Sequence, residues 1–135
     1  QGADYITPEG EIVSNARLTV DPPPSRSYAY MTDTLFRERF AAYVQGVDLL
    51  YHEATYSKAD GLLAKETYHS TAEQAAILAK LAGAKKLLLG HFSARYTDPS
   101  CLLPEAQAIF PDTFICADGD RYEVPAVKRE TYFNG

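Results

Sequence analysis

His52, His69 and His91 are the only three histidines of the chain, and each stands where a catalytic loop is expected to begin. His52 and His91 follow the strand-like apolar runs Val47-Asp-Leu-Leu-Tyr51 and Lys86-Leu-Leu-Leu-Gly90, and His69 precedes the helix-start pattern Ser70-Thr71-Ala72-Glu73. Open α/β sheets bind ligands beyond the carboxyl ends of their strands. Imidazoles gathered there suit hydrolysis, most readily around a metal ion. Three are few for a complete metal site.

Carboxylates stand at matching positions. Asp33 lies between a strand pattern and a helix pattern, where it can cap the helix or face a metal. His91 can bond backbone or ligate zinc. Ser93, Arg95 and Tyr96 follow in a polar loop, and Arg95 can grip a phosphate or carboxylate or serve as a structural ion-pair partner. In His52-Glu53 an imidazole adjoins a carboxylate at a strand end, where neighbours point to opposite faces. A helix N-terminus disfavours a protonated His69, and Glu53 would offset that and orient the ring as a proton donor.

The elements that must position these residues follow from pattern. A short strand is expected at Ala16–Val20, then a stiff connector at Pro22, Pro23 and Pro24. Ser27–Met31 reads as a strand, and Leu35, Phe36, Phe40 and Val44 share a helical spacing that Gly46 would stop. Val47–Tyr51 is the next strand, and Tyr56–Tyr68, without a clean period, reads as an exposed loop or lid. Ser70 and Glu73 have the types and spacing of a capping box, opening a helix through Leu81 to Gly83. Lys86–Gly90 is a buried strand, Leu103–Ile109 a short helix, and Thr113–Ala117 and Arg121–Val124 two closing strands around Asp118-Gly119-Asp120. The alternation implies a layered α/β sheet.

Composition narrows the classes. With 135 residues the chain is one domain or part of a larger one, and its 46% hydrophobic and 23% charged fractions are ordinary for a globular protein. A net charge of -5 argues against a stand-alone nucleic-acid binder. There is no apolar run long enough for a membrane helix and no visible signal peptide, so a cytoplasmic location is expected. Cys101 and Cys116 have no zinc spacing and read as thiols in a reducing compartment. The opening Gln1-Gly2-Ala3-Asp4-Tyr5 reads as a segment of a longer protein.

Taken together, Thr32-Asp33-Thr34, His52-Glu53-Ala54-Thr55, His69-Ser70-Thr71 and His91-Phe92-Ser93-Ala94-Arg95-Tyr96 closely resemble ribonuclease Z, the tRNA 3′-processing endonuclease of the metallo-β-lactamase fold. The resemblance covers essentially the whole chain and corresponds to the C-terminal half of that enzyme. It implies half of an αββα sandwich, a mixed sheet with helices on one face, spanning 1–135 with 1–26 as a polar lead-in. Two positions depart from the family pattern: Thr32 stands where Gly or Ser is common, and Gly90 where Thr is common. The HxHxDH metal motif and one further metal-binding histidine of the family have no counterpart here.

What the resemblance implies for function is specific. Asp33 would bridge two zinc ions and His91 would ligate one. His69 would protonate or stabilise the leaving 3′ oxygen, with Glu53 orienting it. His52, Arg95, Ser93 and Thr71 would support the site or contact substrate. The implied activity is zinc-dependent cleavage of precursor tRNA, completed by the N-terminal half of the same protein. The chain alone is expected to be inactive, to expose a sheet face and to dimerise. A different phosphodiesterase of the same fold and a non-catalytic dimerisation or binding half-domain are the alternatives.

Overall fold

The structure is a computed structural model describing residues 2–20, 22 and 24–124. These divide between Ser25 and Arg26 into two compact units.

In the first unit, strands β1 (Tyr5–Ile6) and β2 (Ile12–Val13) pair antiparallel. Their turn is closed by the Gly10 amide on the Thr7 carbonyl at 2.9 Å, with Gly10 at φ +86°. The strand expected at Ala16–Val20 does not form, and Asn15–Leu18 is instead a single helical turn, α1. Local hydrogen bonds decide this: the Asp4 carboxylate accepts from the Asn15 amide at 2.8 Å, and the Thr19 hydroxyl donates to the Asn15 carbonyl at 2.9 Å. Such side-chain bonds compete with strand pairing. Of the three connector prolines, Pro23 lies outside the described residues.

The second unit is built on four strands, β3 (Tyr28–Met31), β4 (Leu49–Glu53), β5 (Leu87–Gly90) and β6 (Thr113–Ile115), adjacent in that order and parallel throughout. The mixed, parallel and antiparallel character expected of the chain is thus divided between the two sheets. Because every strand runs the same way, all four carboxyl ends open on one edge. Register sets Met31 beside His52, His52 beside Leu89 and Glu53 beside Gly90.

Helices α3 (Ala72–Ala82) and α4 (Leu103–Gln107) and the 3₁₀ segment Glu38–Val44 pack together over one face. Leu50, Leu87 and Leu89 of the sheet meet Ala72, Ala75, Ala76, Leu78 and Ala79 of α3 in the core. The small alanines let the helix lie close to the sheet, and each buried leucine stabilises the unit by about 1.5–3 kcal/mol. The other sheet face carries Tyr28, Tyr30 and Phe114, which are 57%, 60% and 40% exposed. Among the described residues no helix is long and apolar enough to cross a membrane.

Several expected elements differ. The helix from Leu35 begins only at Glu38 and is 3₁₀, because Arg37 is extended (φ -146°) and the Thr34 amide is engaged elsewhere. The strand placed at Val47–Tyr51 runs instead through His52 and Glu53. The loop or lid at Tyr56–Tyr68 contains a 3₁₀ turn, Lys58–Asp60, and helix α2 (Gly61–Glu66), which buries Ala64. It is fastened by the Lys58 amide on Glu105 at 2.9 Å and the Ser57 amide on the Tyr96 hydroxyl at 2.7 Å. The short helix before Pro111 starts as a 3₁₀ turn, Pro99–Leu102. β6 ends at Ile115, and residues 121–124 form no strand: the Ala117 amide turns back to the Asp120 carboxylate at 2.9 Å.

Candidate functional site

Three of the four strand ends converge on one cluster. Asp33 follows β3, Glu53 closes β4, and His91 follows β5. His69 arrives from the segment between α2 and α3. Asp33 and His91 hold left-handed backbone, φ +48° and +58°, as does Tyr68 (φ +62°) just before His69. A non-glycine residue in that region costs roughly 1–2 kcal/mol, less for aspartate. The fold sustains it at the ends of β3 and β5, the two strands that flank β4, and there it turns the two side chains toward each other.

Nε2 of His91 lies 3.2 Å from Oδ1 of Asp33. One ligand-type atom from each of Asp33, His69 and His91 lies within 4.8 Å of the other two. The His69 and His91 rings face each other with centroids 5.3 Å apart. Asp33 and His91 are 65% and 41% exposed, so the cluster is open on one side. Two imidazoles and a carboxylate are a donor set that zinc and similar divalent cations accept, and lone pairs crowded this closely favour a cation between them.

Glu53 is the buried anchor. Its side chain is fully buried, and every group around it donates: the Thr34 amide at 2.6 Å, the Ser70 amide at 3.1 Å, the Thr55 hydroxyl at 2.5 Å and Nδ1 of His69 at 3.0 and 3.1 Å. Burial pushes the Glu53 pKa up, but the bonds from Thr55, Ser70, Thr34 and His69 outweigh it and hold the carboxyl below its usual range. Because Nδ1 of His69 is spent on Glu53, its Nε2 is left for chemistry.

His52 takes no part in the cluster. It is fully buried on the core face, and its Nδ1 donates to the Glu53 carbonyl at 2.7 Å. Burial lowers its pKa despite that carbonyl and the Glu53 charge, which favours the neutral ring. Its Nε2, with Thr32 Oγ1, is a buried atom lacking a partner among the described residues.

The remaining candidates are structural in position. Arg95 pairs with Asp60 at 3.0 Å and lies over the Tyr56 ring, 5.2 Å from its centre. Of the two roles open to it, the ion pair is the one formed. The Ser93 amide bonds the Thr55 carbonyl at 3.0 Å, and its own carbonyl accepts from the Tyr96 amide at 3.1 Å. Thr71, expected to support the site or contact substrate, is buried and caps α3. Its Oγ1 accepts from the Gln74 amide at 3.2 Å, while Gln74 Oε1 accepts from the Thr71 amide at 3.0 Å. The capping box therefore sits one residue later than Ser70–Glu73. The Ser70 hydroxyl instead donates to the Thr34 carbonyl at 2.6 Å, tying the Asp33 loop to the His69 loop.

Residue types alone did not single out Thr55, which bonds both Glu53 and His91, at 2.5 and 2.9 Å. Its place two residues after Glu53, past the strand end, was the available signal. Tyr51 was likewise unmarked: its ring lies across Gly90, so close that a side-chain carbon there would collide with the Tyr51 hydroxyl. Tyr51 also stacks on Tyr30 with centroids 4.5 Å apart. The departure at Gly90 is thus matched by a neighbouring ring filling the space.

The layered α/β unit, with its acid-and-imidazole cluster beyond the strand ends, is part of a metallo-β-lactamase fold. Solved structures agree: YhfI of Bacillus subtilis, a metallo-β-lactamase fold protein, superposes with a TM-score of 0.63 at 26% identity, over 68% of this chain and 37% of its own. Human tRNase Z, short form, superposes with a TM-score of 0.50 at 35% identity, over 63% of this chain and 27% of its own. No protein-family model matches the chain. Ribonuclease Z of Bacteroides fragilis is 53% identical over 117 residues, 87% of this chain and 38% of the relative. That of Parabacteroides distasonis is 50% identical over 124 residues, 92% and 41% respectively. Over most of its length the chain is thus similar to a segment of proteins named ribonuclease Z. It spans about two fifths of the length of these relatives.

Proposed function

We propose that this chain supplies the C-terminal half of the catalytic domain of a zinc-dependent endoribonuclease that matures the 3′ end of precursor tRNA. The observation that carries the reading is the meeting of Asp33, His69 and His91 around buried Glu53, in a chain half identical to proteins named ribonuclease Z. In this reading Asp33 and His91 are metal ligands and His69 moves the proton. Glu53 orients His69, and His52 supports the strand end from the core. The remaining ligands of a two-zinc site come from the rest of the protein, which shares the cytoplasm with its substrate.

The metal, when bound, neutralises charge on the scissile phosphate and lowers the pKa of a water. The residues of this chain do the rest. Glu53 holds Nδ1 of His69, and Nε2, freed for the reaction, is positioned to carry a proton to the leaving 3′ oxygen. The two left-handed residues fix Asp33 and His91 before any ligand arrives, so little ordering is required on binding. Asp33 and His91 alone are too few for tight zinc, which takes three or four protein ligands. The chain by itself therefore retains no stoichiometric zinc and does not cleave tRNA precursors, and its uncovered tyrosine face favours dimerisation.

The test compares the full-length protein with this chain for zinc retained after dialysis and for cleavage of a precursor tRNA and a small phosphodiester. The expected result is zinc and precursor cleavage for the full-length protein only. Hydrolysis of the small ester with the precursor untouched would overturn the substrate assignment. Full zinc occupancy in the chain alone would overturn the division of the site.

A further inference from the structure

Thr55 occupies a junction that hydrogen counting resolves. Its hydroxyl oxygen lies 2.5 Å from Oε2 of Glu53 and 2.9 Å from Nδ1 of His91. A hydroxyl carries one hydrogen. If it pointed at His91, two oxygens would face each other at 2.5 Å with no proton between them. The other contacts of Glu53, from the Thr34 and Ser70 amides and His69, are all donors, so its carboxyl group is an acceptor throughout. The threonine proton therefore points to Glu53. The oxygen then accepts, and the donor must be Nδ1–H of His91.

We infer that Thr55 is a positioning residue that extends the charge of Glu53 to His91, holding a proton on Nδ1 of His91 and leaving Nε2, 3.2 Å from Oδ1 of Asp33, as the ring atom that faces the cluster. Glu53 then sets two histidines at once, His69 directly and His91 through Thr55. Both present Nε2 to the same space, and the pair is held by one buried carboxylate. Thr55 is 6% exposed and Glu53 fully buried, so water does not compete for the bond between them. Partners of this kind, which orient a ligand histidine through its second nitrogen, typically change metal affinity 10–100-fold when removed. The consequence for metal rests on the function proposed above, whereas the tautomer does not.

The experiment has two arms. In alkaline buffer without metal, ¹⁵N-detected imidazole NMR of this chain is expected to show His91 protonated at Nδ1. Thr55→Val is expected to lose that preference, Thr55→Ser to keep it, and the His69 resonances to report that Glu53 remains in place in both. An unchanged His91 pattern in Thr55→Val, or an Nε2-protonated parent, overturns the inference. The second arm titrates zinc into the full-length protein by competition with a chromophoric chelator. Thr55→Val is expected to weaken binding about 10–100-fold and Thr55→Ser to stay within about threefold. Equal affinity of parent and Thr55→Val overturns the positioning role. A full-length parent that takes no zinc overturns the metal reading above, while the tautomer still stands or falls on the first arm.

Discussion

The ring of Tyr51 fills the space above Gly90: a carbon attached to Gly90 would collide with its hydroxyl and lie 2.6 Å from two of its ring carbons. Gly90 ends β5 and adjoins His91, so the two residues together shape the approach to the cluster. Tyr51 cannot swing away freely because Tyr30 stacks on it. Gly90→Thr, the residue common in the family, is therefore expected to destabilise the chain by about 1–3 kcal/mol through overpacking. Adding Tyr51→Ala should recover part of that loss, as contacting positions couple. Urea melts of the two single variants and the double variant measure the coupling, and strictly additive effects would refute the steric match.

Glu53 accepts from four partners while fully buried. Glu53→Ala leaves two amides, a hydroxyl and an imidazole without their acceptor. A loss of roughly 3–5 kcal/mol is expected, the range for removing one side of a buried charged network. His69→Ala, by contrast, removes a side chain 22% exposed and should cost about 1 kcal/mol or less in stability. In the full-length protein the same change should lower kcat by about 10²–10⁴, the share of a positioned proton donor. A His69→Ala enzyme with normal turnover would remove this residue from the proton-transfer role.

These residues also mark what was legible beforehand. Asp33, Glu53, His69 and His91 were identifiable because each stands at the end of an apolar or capping pattern, which puts it on the same sheet edge in any parallel arrangement. The left-handed backbone of Asp33 and His91 was not, since only glycine announces that conformation by type. The capping box was misplaced by one residue because Ser70–Glu73 and Thr71–Gln74 both satisfy its pattern. The tertiary bonds of Ser70 to Glu53 and Thr34 decided between them. The anchoring of Tyr56–Tyr68 was hidden for a similar reason: its partners, Tyr96 and Glu105, lie 39 and 47 residues from Ser57 and Lys58 and leave no local period.

That anchoring gives a further expectation. The Tyr96 hydroxyl donates to Asp60 at 2.5 Å and accepts from the Ser57 amide at 2.7 Å, and Arg95 pairs with the same carboxylate. Tyr96→Phe removes both bonds and should cost about 1–3 kcal/mol. Hydrogen exchange should rise across residues 57–66 and stay unchanged in β4 and β5. Protection of 57–66 equal to that of the parent would show that the segment is held by packing alone.

Acid stability should report Asp48. The Lys85 ammonium and the amide and hydroxyl of Ser27 hydrogen-bond its carboxylate and lower its pKa to about 2. The unfolded chain titrates this group at its ordinary value of 3.8. A depressed folded pKa means that the unfolded state binds the proton more readily. The contribution of Asp48 is therefore complete above about pH 4 and is lost as pH falls toward about 2. Asp48→Asn should lower stability at neutral pH and flatten the stability curve between those limits. Chemical denaturation of parent and variant at several pH values measures the difference, which should shrink steadily on acidification. A constant gap down to about pH 2 would show that the carboxylate charge contributes nothing to holding Ser27 and Lys85 against the edge of β4.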